Sequence, residues 1–228
     1  MDLVEALRTT GSIRSFSDDA VDSNTIFEIL DDARFAPSGG NRQSWRVIVI
    51  ESPAQRRAVR DIYLDAWHDY VAHLLAGVIP FSPLASEEDR ASAAAQRSAA
   101  QELSKPDGFA ETLDRVPALL VVCADLSALA ATDRDLVRYQ IVGGASVYPF
   151  VWNILLSARA RGLGGVMTTV ATRNEGALRE ALRIPEQFCV ASIVVLGHPL
   201  ARYTKLTRRK VEEFTTLDTF GGAALGHS

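Results

Sequence analysis

Residues 36–50 read APSGGNRQSWRVIVI and join a small, polar loop directly to a continuous β-branched run. The proline and the two glycines interrupt the helical spacing of the preceding residues, which predicts a loop at 37–41. The run at 46–50 shows no polar alternation and is therefore typical of a strand that is buried on both faces. The sequence thus predicts Ser, Asn and Gln side chains that stand just before a buried strand.

The rest of the chain interleaves helical and strand patterns without a regular order. Apolar residues keep helical spacing over residues 22–36 and again from Pro53 onward. A polar, alanine-rich stretch at 85–104 is typical of a solvent-facing helix or lid that packs weakly. No repeat or linker divides the sequence, so we expect one α+β domain over residues 1–228 with a frayed tail at about 221–228. Further strands are predicted at 116–124, 166–170 and 190–196, and further helices at 141–161 and 175–182.

The predicted helix at 141–161 is apolar nearly all round. It carries Val147, Phe150, Val151, Ile154 and Leu155 in close succession. A helix of this kind belongs at the centre of a core or in a subunit interface.

Composition places the chain among globular proteins. Hydrophobic residues make up 47% and charged residues 23% of 228 residues, and the net charge is −4. Nucleic-acid binders are usually basic, so we expect no nucleic-acid partner. No apolar run reaches the ~18 residues of a membrane span, and no signal peptide is visible, so no membrane contact is expected. Cys123 and Cys189 lie in apolar runs and are predicted to be buried free thiols of a cytoplasmic protein.

The usual motifs of side-chain catalysis are missing from the sequence. There is no phosphate-binding G-x-x-x-x-G-K-[ST] loop and no G-x-S-x-G elbow. The glycines at 162–165 follow a helix and precede a strand, which is the reverse of the dinucleotide-binding context. The four histidines are scattered and no residue pair has metal-ligand spacing, so we predict no metal site and no catalytic side chain. An organic cofactor is then the expected reagent of any enzyme here.

Three short segments combine polar and basic groups. GSIRSF at 11–16 is either an ordinary capping turn or a place for a hydroxyl and a cation on a ligand. The segment 36–45 is either a plain loop or an amide-rich binding loop. KLTRRK at 205–210 is either a solvated charge run or a cationic site. Together they suit a ligand with a phosphate at one end and a planar, hydrogen-bonding ring at the other.

The pattern Ser12-x-Arg14-x-Phe16, followed by A-P-S-x-x-N-x-Q-x-W at 36–45, resembles the FMN-dependent nitroreductase family. Later segments agree with the family in order and spacing, so that the resemblance covers about residues 7–214. They are the helix and glycine turn at 153–165, LRIP at 182–185, VVLGHP at 194–199 and the basic element at 208–213.

This resemblance implies an α+β fold in which helices flank a mixed central sheet. It also implies a homodimer that holds FMN in two clefts at the interface, with the helix at 141–161 between the subunits. The residues that match the family's cofactor-binding positions are Ser12 and Arg14 at the N-terminus, Pro37, Ser38, Asn41 and Gln43 in a loop that in part reaches the partner's flavin, Thr168 and Thr169 at the ring edge, and Arg208 at the phosphate, with Lys205 or Arg209 as a helper.

One departure from the family lies at Thr10 and Gly11, where relatives often carry an arginine. Arg8 or Arg209 can supply that charge; without it we expect weaker FMN binding.

The resemblance implies an oxidoreductase that passes hydride from NADH or NADPH through FMN to a nitroaromatic, a quinone or an enone. Relatives that dehalogenate aromatics or fragment flavin share the scaffold, and no motif selects the donor or the acceptor. The alternative from another class is a flavin-binding protein without turnover, a storage or sequestering homologue in which residues 85–104 close over FMN as a lid.

Overall fold

The computed structural model describes residues 2–226. Four strands form one sheet in the order β1-β2-β4-β3, and seven α-helices pack around it. The strands are β1 (Trp45–Val49), β2 (Ala118–Asp125), β3 (Gly164–Thr168) and β4 (Phe188–Gly197). The helices are α1 (Leu3–Thr9), α2 (Ser23–Ala33), α3 (Pro53–Leu75), α4 (Glu87–Ala95), α5 (Arg97–Glu102), α6 (Tyr148–Ala160) and α7 (Glu175–Leu182).

The predicted α+β fold is confirmed, but the expectation of a mixed sheet is wrong for the described strands. Each of the three strand pairs is antiparallel, and the parallel pairing that is present is a single bridge between Ser12 and Gly165. In β2 and β4 the continuous apolar runs reflect coverage of both faces, whereas the residues of β1 are only partly buried or exposed, so the predicted burial of both its faces is wrong. In β2, Leu120 and Val122 face a core with α2 and α6, whereas Leu119 and Val121 face a core with α3 and α7.

Helix α6 is shorter than the sequence pattern predicts. The residues before it form a short 3₁₀ helix over Val142–Ser146, and α6 begins at Tyr148 with a proline in its first turn. Gly143 and Gly144 disfavour an α-helix at this point, and Pro149 is well suited to a first turn. Val151 and Ile154 are completely buried within the one chain, between α2 and the sheet. Packing within one chain thus accounts for most of the apolar surface of α6.

The stretch at 85–104 packs more firmly than expected. It forms α4 and α5, which lie against α3 through the buried alanines Ala93 and Ala100. Arg97 makes ion pairs with Asp65 and Asp69 of α3. Ser86 and Asp89 form a capping box that fixes the start of α4.

The C-terminal tail runs along the surface. Residues 216–224 close a turn in which the Leu217 N–H donates to the Ala223 carbonyl at 2.8 Å. The frayed end that the sequence predicts at 221–228 includes residues 227 and 228, which lie outside the described residues. Among the described helices, none combines the length and the apolar character that crossing a bilayer requires.

A glycine at the sheet edge and a control glycine on α7 provide a test of the packing. A methyl group on Gly165 would lie 2.5 Å from the Val195 carbonyl oxygen, so β3 would have to move away from β4. We expect Gly165→Ala to lower the free energy of unfolding by about 1–3 kcal/mol, a typical cost of overpacking. Gly176 on α7 has open space around it. Gly176→Ala should therefore be neutral or stabilising by up to ~1 kcal/mol. Urea unfolding measures both, and equal midpoints for the two variants would contradict the close approach.

Candidate cofactor site

The N-terminal segment lies against the free edge of β3. The Ile13 N–H donates to the Gly165 carbonyl at 2.9 Å. The absence of a side chain at Gly164 permits this approach, because a Cβ on Gly164 would lie 2.9 Å from the Ile13 side chain. Ser12 bridges Gly165, and Thr168 lies three residues further along the same strand, roughly 10 Å away. The structure thus brings two of the predicted segments to one edge.

Arg14 and Thr168 are linked through two aromatic residues. The Tyr63 hydroxyl, on α3, lies 3.2 Å from Thr168 Oγ1. The Phe109 ring meets Tyr63 edge-on at 6.2 Å, and the Arg14 guanidinium lies 5.9 Å from the Phe109 centroid. Burial raises the pKa of Tyr63, while the Thr168 bond and the Arg14 charge oppose that rise. The phenol is therefore neutral at physiological pH and can hold Thr168 by its hydroxyl.

Arg14 itself is exposed and lines an open cavity of about 420 Å³. The cavity is also lined by Phe109 and Leu200 and by three charged side chains, those of Asp18, Asp107 and Arg115, so that apolar and polar groups both face the guanidinium. Thr169, which follows the end of β3, is exposed. This end of the site can therefore receive a planar group with polar edges.

The C-terminal cations gather beside the same segment. Arg8, Lys205 and Arg208 line a cavity of about 620 Å³, together with Glu5. Residues 203–206 lie directly on Gly11, because a Cβ there would be 2.6 Å from the Tyr203 ring. Arg8 can thus supply the charge that is missing at Thr10 and Gly11. Arg209 is exposed and does not line this cavity, which favours Lys205 as the helper.

Two further arginines strengthen the positive charge near Ser12. Arg159 lies within the family-like segment 153–165 but is not among the predicted site residues, and Arg202 lies outside the quoted motifs. Arg159 donates to Thr9 Oγ1 at 2.8 Å, and Arg202 donates to the Leu163 carbonyl at 3.2 Å. Burial and the neighbouring Arg159 lower the pKa of Arg202. Within residues 2–226, the buried Arg159 Nε has no hydrogen-bond partner. An unpaired guanidinium nitrogen among several cations suits an anionic group.

The loop at 37–43 is organised by its own hydrogen bonds. Ser38 Oγ accepts from the Gln43 N–H at 3.0 Å, and Gln43 Nε2 donates to Asn41 Oδ1 at 3.2 Å. The Gly39 N–H donates to Ser146 Oγ at 3.0 Å, which ties the loop to the residues before α6. Asn41 and Gln43 both have left-handed backbones, with φ of 54° and 50°. Such strained conformations are retained at binding sites more often than in ordinary loops.

This loop does not meet the other predicted residues within one chain. It precedes β1, whereas Ser12, Arg14 and Thr168 lie at β3, and β1 and β3 are the two edges of the sheet. Three inter-strand spacings separate the edges, or roughly 14 Å. Pro37, Ser38, Asn41 and Gln43 therefore stand apart from the site at β3, and their role stays a prediction.

The residues at the β3 edge fit FMN. The cations beside Gly11 suit a phosphate, and Arg14 beside the Phe109 ring suits a planar group that carries negative charge. The described residues contain no group of three or more His, Cys, Asp or Glu side chains placed to bind a metal ion. Burial raises the pKa of Cys123 to about 11, so this thiol is protonated at neutral pH and is no nucleophile.

Comparisons with known proteins bear on the family of this chain. Residues 7–198 match the Nitroreductase family. A protein of Archaeoglobus fulgidus with the provisional name NADH dehydrogenase/NAD(P)H nitroreductase is 31% identical over 198 residues, which are 86% of this chain and 84% of that protein. FMN reductase [NAD(P)H] of Bacillus subtilis is 21% identical over 229 residues, which cover 96% of this chain and 74% of that protein.

The fold has close counterparts among solved structures. A nitroreductase-like family protein from Bacillus cereus superposes with a TM-score of 0.64 at 20% identity, covering 95% of this chain and 96% of its own. At that identity the likeness concerns the fold alone. The match over residues 7–198, together with a relative above 30% identity, shows that this chain belongs to the nitroreductase family.

Proposed function

We propose that the chain passes hydride from a nicotinamide nucleotide to a small electron-poor acceptor, such as a nitroaromatic, a quinone or an enone, at the edge of β3. Its family makes it an NAD(P)H-dependent oxidoreductase with FMN as cofactor. The observation that carries the proposal is that Arg14, Tyr63 and Thr168 meet at the end of β3, while the chain that carries Arg14 leads back to the cavity lined by Arg8, Lys205 and Arg208. The free thiols of Cys123 and Cys189 support the cytoplasmic location that we propose.

The redox chemistry belongs to the cofactor. When bound, FMN supplies the hydride-accepting and electron-donating chemistry that no side chain of this site provides. The protein's contribution is to bind, to orient and to stabilise charge.

At one end of the site, Arg8, Lys205 and Arg208 would hold the phosphate, and Ser12 would donate its hydroxyl. Charge-assisted hydrogen bonds of this kind contribute about 1.5–3 kcal/mol each. Glu5 lines the same cavity and limits the net positive charge there.

At the other end, Arg14 would place its positive charge beside the ring. A fixed cation stabilises the negative charge that reduction adds and needs no reorganisation when it does so. The Phe109 ring restrains the guanidinium through a cation–π contact. Tyr63 acts as a positioning residue, because its buried ring and its hydroxyl fix the Thr168 end of β3.

We propose that a second copy of the chain completes each cleft. The strained loop at 37–43 is on the wrong edge for its own site, but a partner subunit can bring it to the site. Large apolar side chains are exposed beside the loop and along the C-terminal tail. Monomeric proteins rarely expose large apolar patches, so this surface favours a partner. They include Phe35 (73% exposed), Tyr139 and Ile141 (71%) beside the loop, and Phe214 (58%) and Phe220 (102%) in the tail.

The storage alternative receives no support from the position of the predicted lid. Helices α4 and α5 pack on α3 through Ala93, Ala100 and Arg97, and in this position they do not form a cover over β3. Turnover therefore remains the function that the site supports best.

The first experiment is anaerobic reduction. We expect the purified protein to be yellow, to release FMN on denaturation and to lose its flavin absorbance when NADH or NADPH is added without oxygen. Adding nitrobenzene or a quinone should restore the absorbance. A protein that binds FMN but keeps its colour with both donors would be a storage protein, and a protein that ignores FMN would contradict the whole assignment.

A second prediction separates the two ends of the site. Arg14→Gln should lower the midpoint potential, because it removes a charge that favours the reduced form; a loss of ~1.4 kcal/mol corresponds to ~30 mV for two electrons. Arg208→Gln should leave the potential nearly unchanged and weaken FMN binding by about 1.5–3 kcal/mol, since the phosphate is charged in both redox states. Dye-coupled titration and FMN dissociation constants measure these effects. Arg209→Gln is the matched control. An unchanged midpoint potential in Arg14→Gln would contradict the placement of Arg14 beside the flavin ring.

A third prediction concerns the assembly. Light scattering should give about twice the chain mass of 24.8 kDa. Phe220→Asp should weaken the dimer and FMN binding together, since it puts a charge on a covered apolar surface. Leu84→Asp is the control, because Leu84 is 93% exposed in the loop before α4, away from the tail. An FMN-loaded monomer would refute the shared cleft.

A further inference from the structure

A third cavity lies apart from the two that line the proposed flavin site. It has a volume of about 350 Å³ and is enclosed by α3, α4, the loop between them and the short 3₁₀ helix over Val170–Asn174 that follows β3. This volume falls within the range of small-molecule sites. The wall includes His73, Phe81, Ser82, Arg90 and Arg173.

The lining of this cavity is basic in an acidic protein. Arg90 and Arg173 are exposed cations, and His73 Nδ1 lies 2.7 Å from the Asp69 carbonyl, which leaves Nε2 outside that bond. The one lining carboxylate, Asp69, is engaged by Arg97. Two guanidinium groups near one space favour a phosphate or a carboxylate, which they bind bidentately.

Phe81 supplies a flat apolar surface between these cations. Its ring centroid lies 4.9 Å from the Arg173 guanidinium carbon and 4.6 Å from the His73 ring. Its backbone is left-handed, with φ of 54°, which is strained for a bulky residue. Ala93 and Ala94 on α4 extend the apolar wall. A ligand with both a ring and an anion fits this combination, and retained strain is typical of ligand-binding segments.

The cavity is connected to the proposed hydride-transfer site by continuous packing. Arg173 follows Thr169 by four residues of 3₁₀ helix, roughly 8 Å. Along α3, Tyr63 at Thr168 and His73 in the cavity are ten residues apart, roughly 15 Å. Aromatic side chains lie one after another beside this interval: Tyr63 and Trp67 stack at 6.2 Å, Trp67 and Tyr70 stack at 5.0 Å, and the Phe81 ring is tilted against Tyr70 at 6.5 Å. An extended dinucleotide can span this separation.

We propose that this cavity binds the adenosine 2′-phosphate end of NADPH. Arg90 and Arg173 hold the 2′-phosphate, and Phe81 with the α4 alanines contacts the adenine. The inference rests on the proposed function in one respect, which is that a nicotinamide nucleotide donates at the β3 edge. It goes further in selecting NADPH over NADH, because only NADPH carries the dianion that two arginines would match.

Binding of a fragment tests the site without turnover. Adenosine 2′,5′-bisphosphate is titrated into the FMN-loaded protein by calorimetry, with 5′-AMP as the ligand that lacks the 2′-phosphate. We expect the bisphosphate to bind at least tenfold more tightly than 5′-AMP. Arg173→Gln and Arg90→Gln should each remove most of that difference, and Arg173→Lys should restore part of it. Arg57→Gln, at an exposed position on α3, is the matched control.

Steady-state kinetics provide the second readout. Arg173→Gln should raise the KM for NADPH at least tenfold, with kcat unchanged and the KM for NADH unaffected. Equal binding of the bisphosphate and 5′-AMP to the wild type, or variants that bind the bisphosphate as tightly as the wild type, would overturn the proposal. If neither donor reduces the flavin, the proposed function fails, while the calorimetry still decides whether the cavity binds the bisphosphate.

Discussion

The Ile13 N–H donates to the Gly165 carbonyl, and this bond fixes both ends of the candidate site. It holds the N-terminal segment on the edge of β3, with Gly11 against Tyr203 and Leu206 of the tail and Arg14 beside the aromatic pair of Tyr63 and Phe109. The bond is possible because Gly164 has no side chain, since a Cβ there would lie 2.9 Å from Ile13. Gly165 in turn lies so close to β4 that a methyl group would collide with the Val195 carbonyl. A backbone constraint at two glycines thus determines where charges and rings can meet.

Electrostatics then divide this edge from the rest of the molecule. The chain carries a net charge of −4, yet arginines and lysines from α1, α6 and the tail gather near Ser12. A local positive field in an acidic protein attracts phosphorylated ligands. The same contrast recurs in the cavity at Arg90 and Arg173. Positive charge therefore gathers both where the flavin phosphate would lie and where the far end of a dinucleotide would lie.

Much of this arrangement could be predicted from local sequence patterns. The capping residue Asp22, the proline at the start of α3 and the β-branched run at β1 each specify a local structure, and the ordered motifs pointed to the family. The predicted start of α6 at residue 141 was wrong. Apolar periodicity continues through Gly143, Gly144 and Pro149, but the α-helix begins only at Tyr148, because these residues disfavour a regular helix before it. The mixed sheet that the resemblance implied was wrong for the described strands, and the apolar runs alone could not correct it, because burial on both faces does not depend on strand direction.

The contacts that complete the site could not be predicted in the same way. Tyr63 and Thr168 are 105 residues apart, and nothing in either local pattern indicates that their hydroxyls meet. Phe109, Arg159 and Arg202 likewise gain a role only when the chain is folded. The positions of the motif residues could be predicted because each depends on a short segment, whereas their neighbours depend on how α3, β3 and the tail pack together.

The separation of the loop at 37–43 from the β3 edge links assembly to cofactor binding. Its polar groups already bond to one another and to Ser146, so the loop is ordered before it meets any ligand. A preordered loop loses little entropy on binding, which favours its use as a fixed wall. If the partner's loop completes the cleft, FMN binds the dimer more tightly than the monomer and stabilises it by RT ln(1 + [FMN]/Kd). Linkage requires the converse, that dimerisation strengthens FMN binding by the same factor. The exposed apolar tail and the strained loop then serve one equilibrium, in which the protein that holds its cofactor is the assembled one.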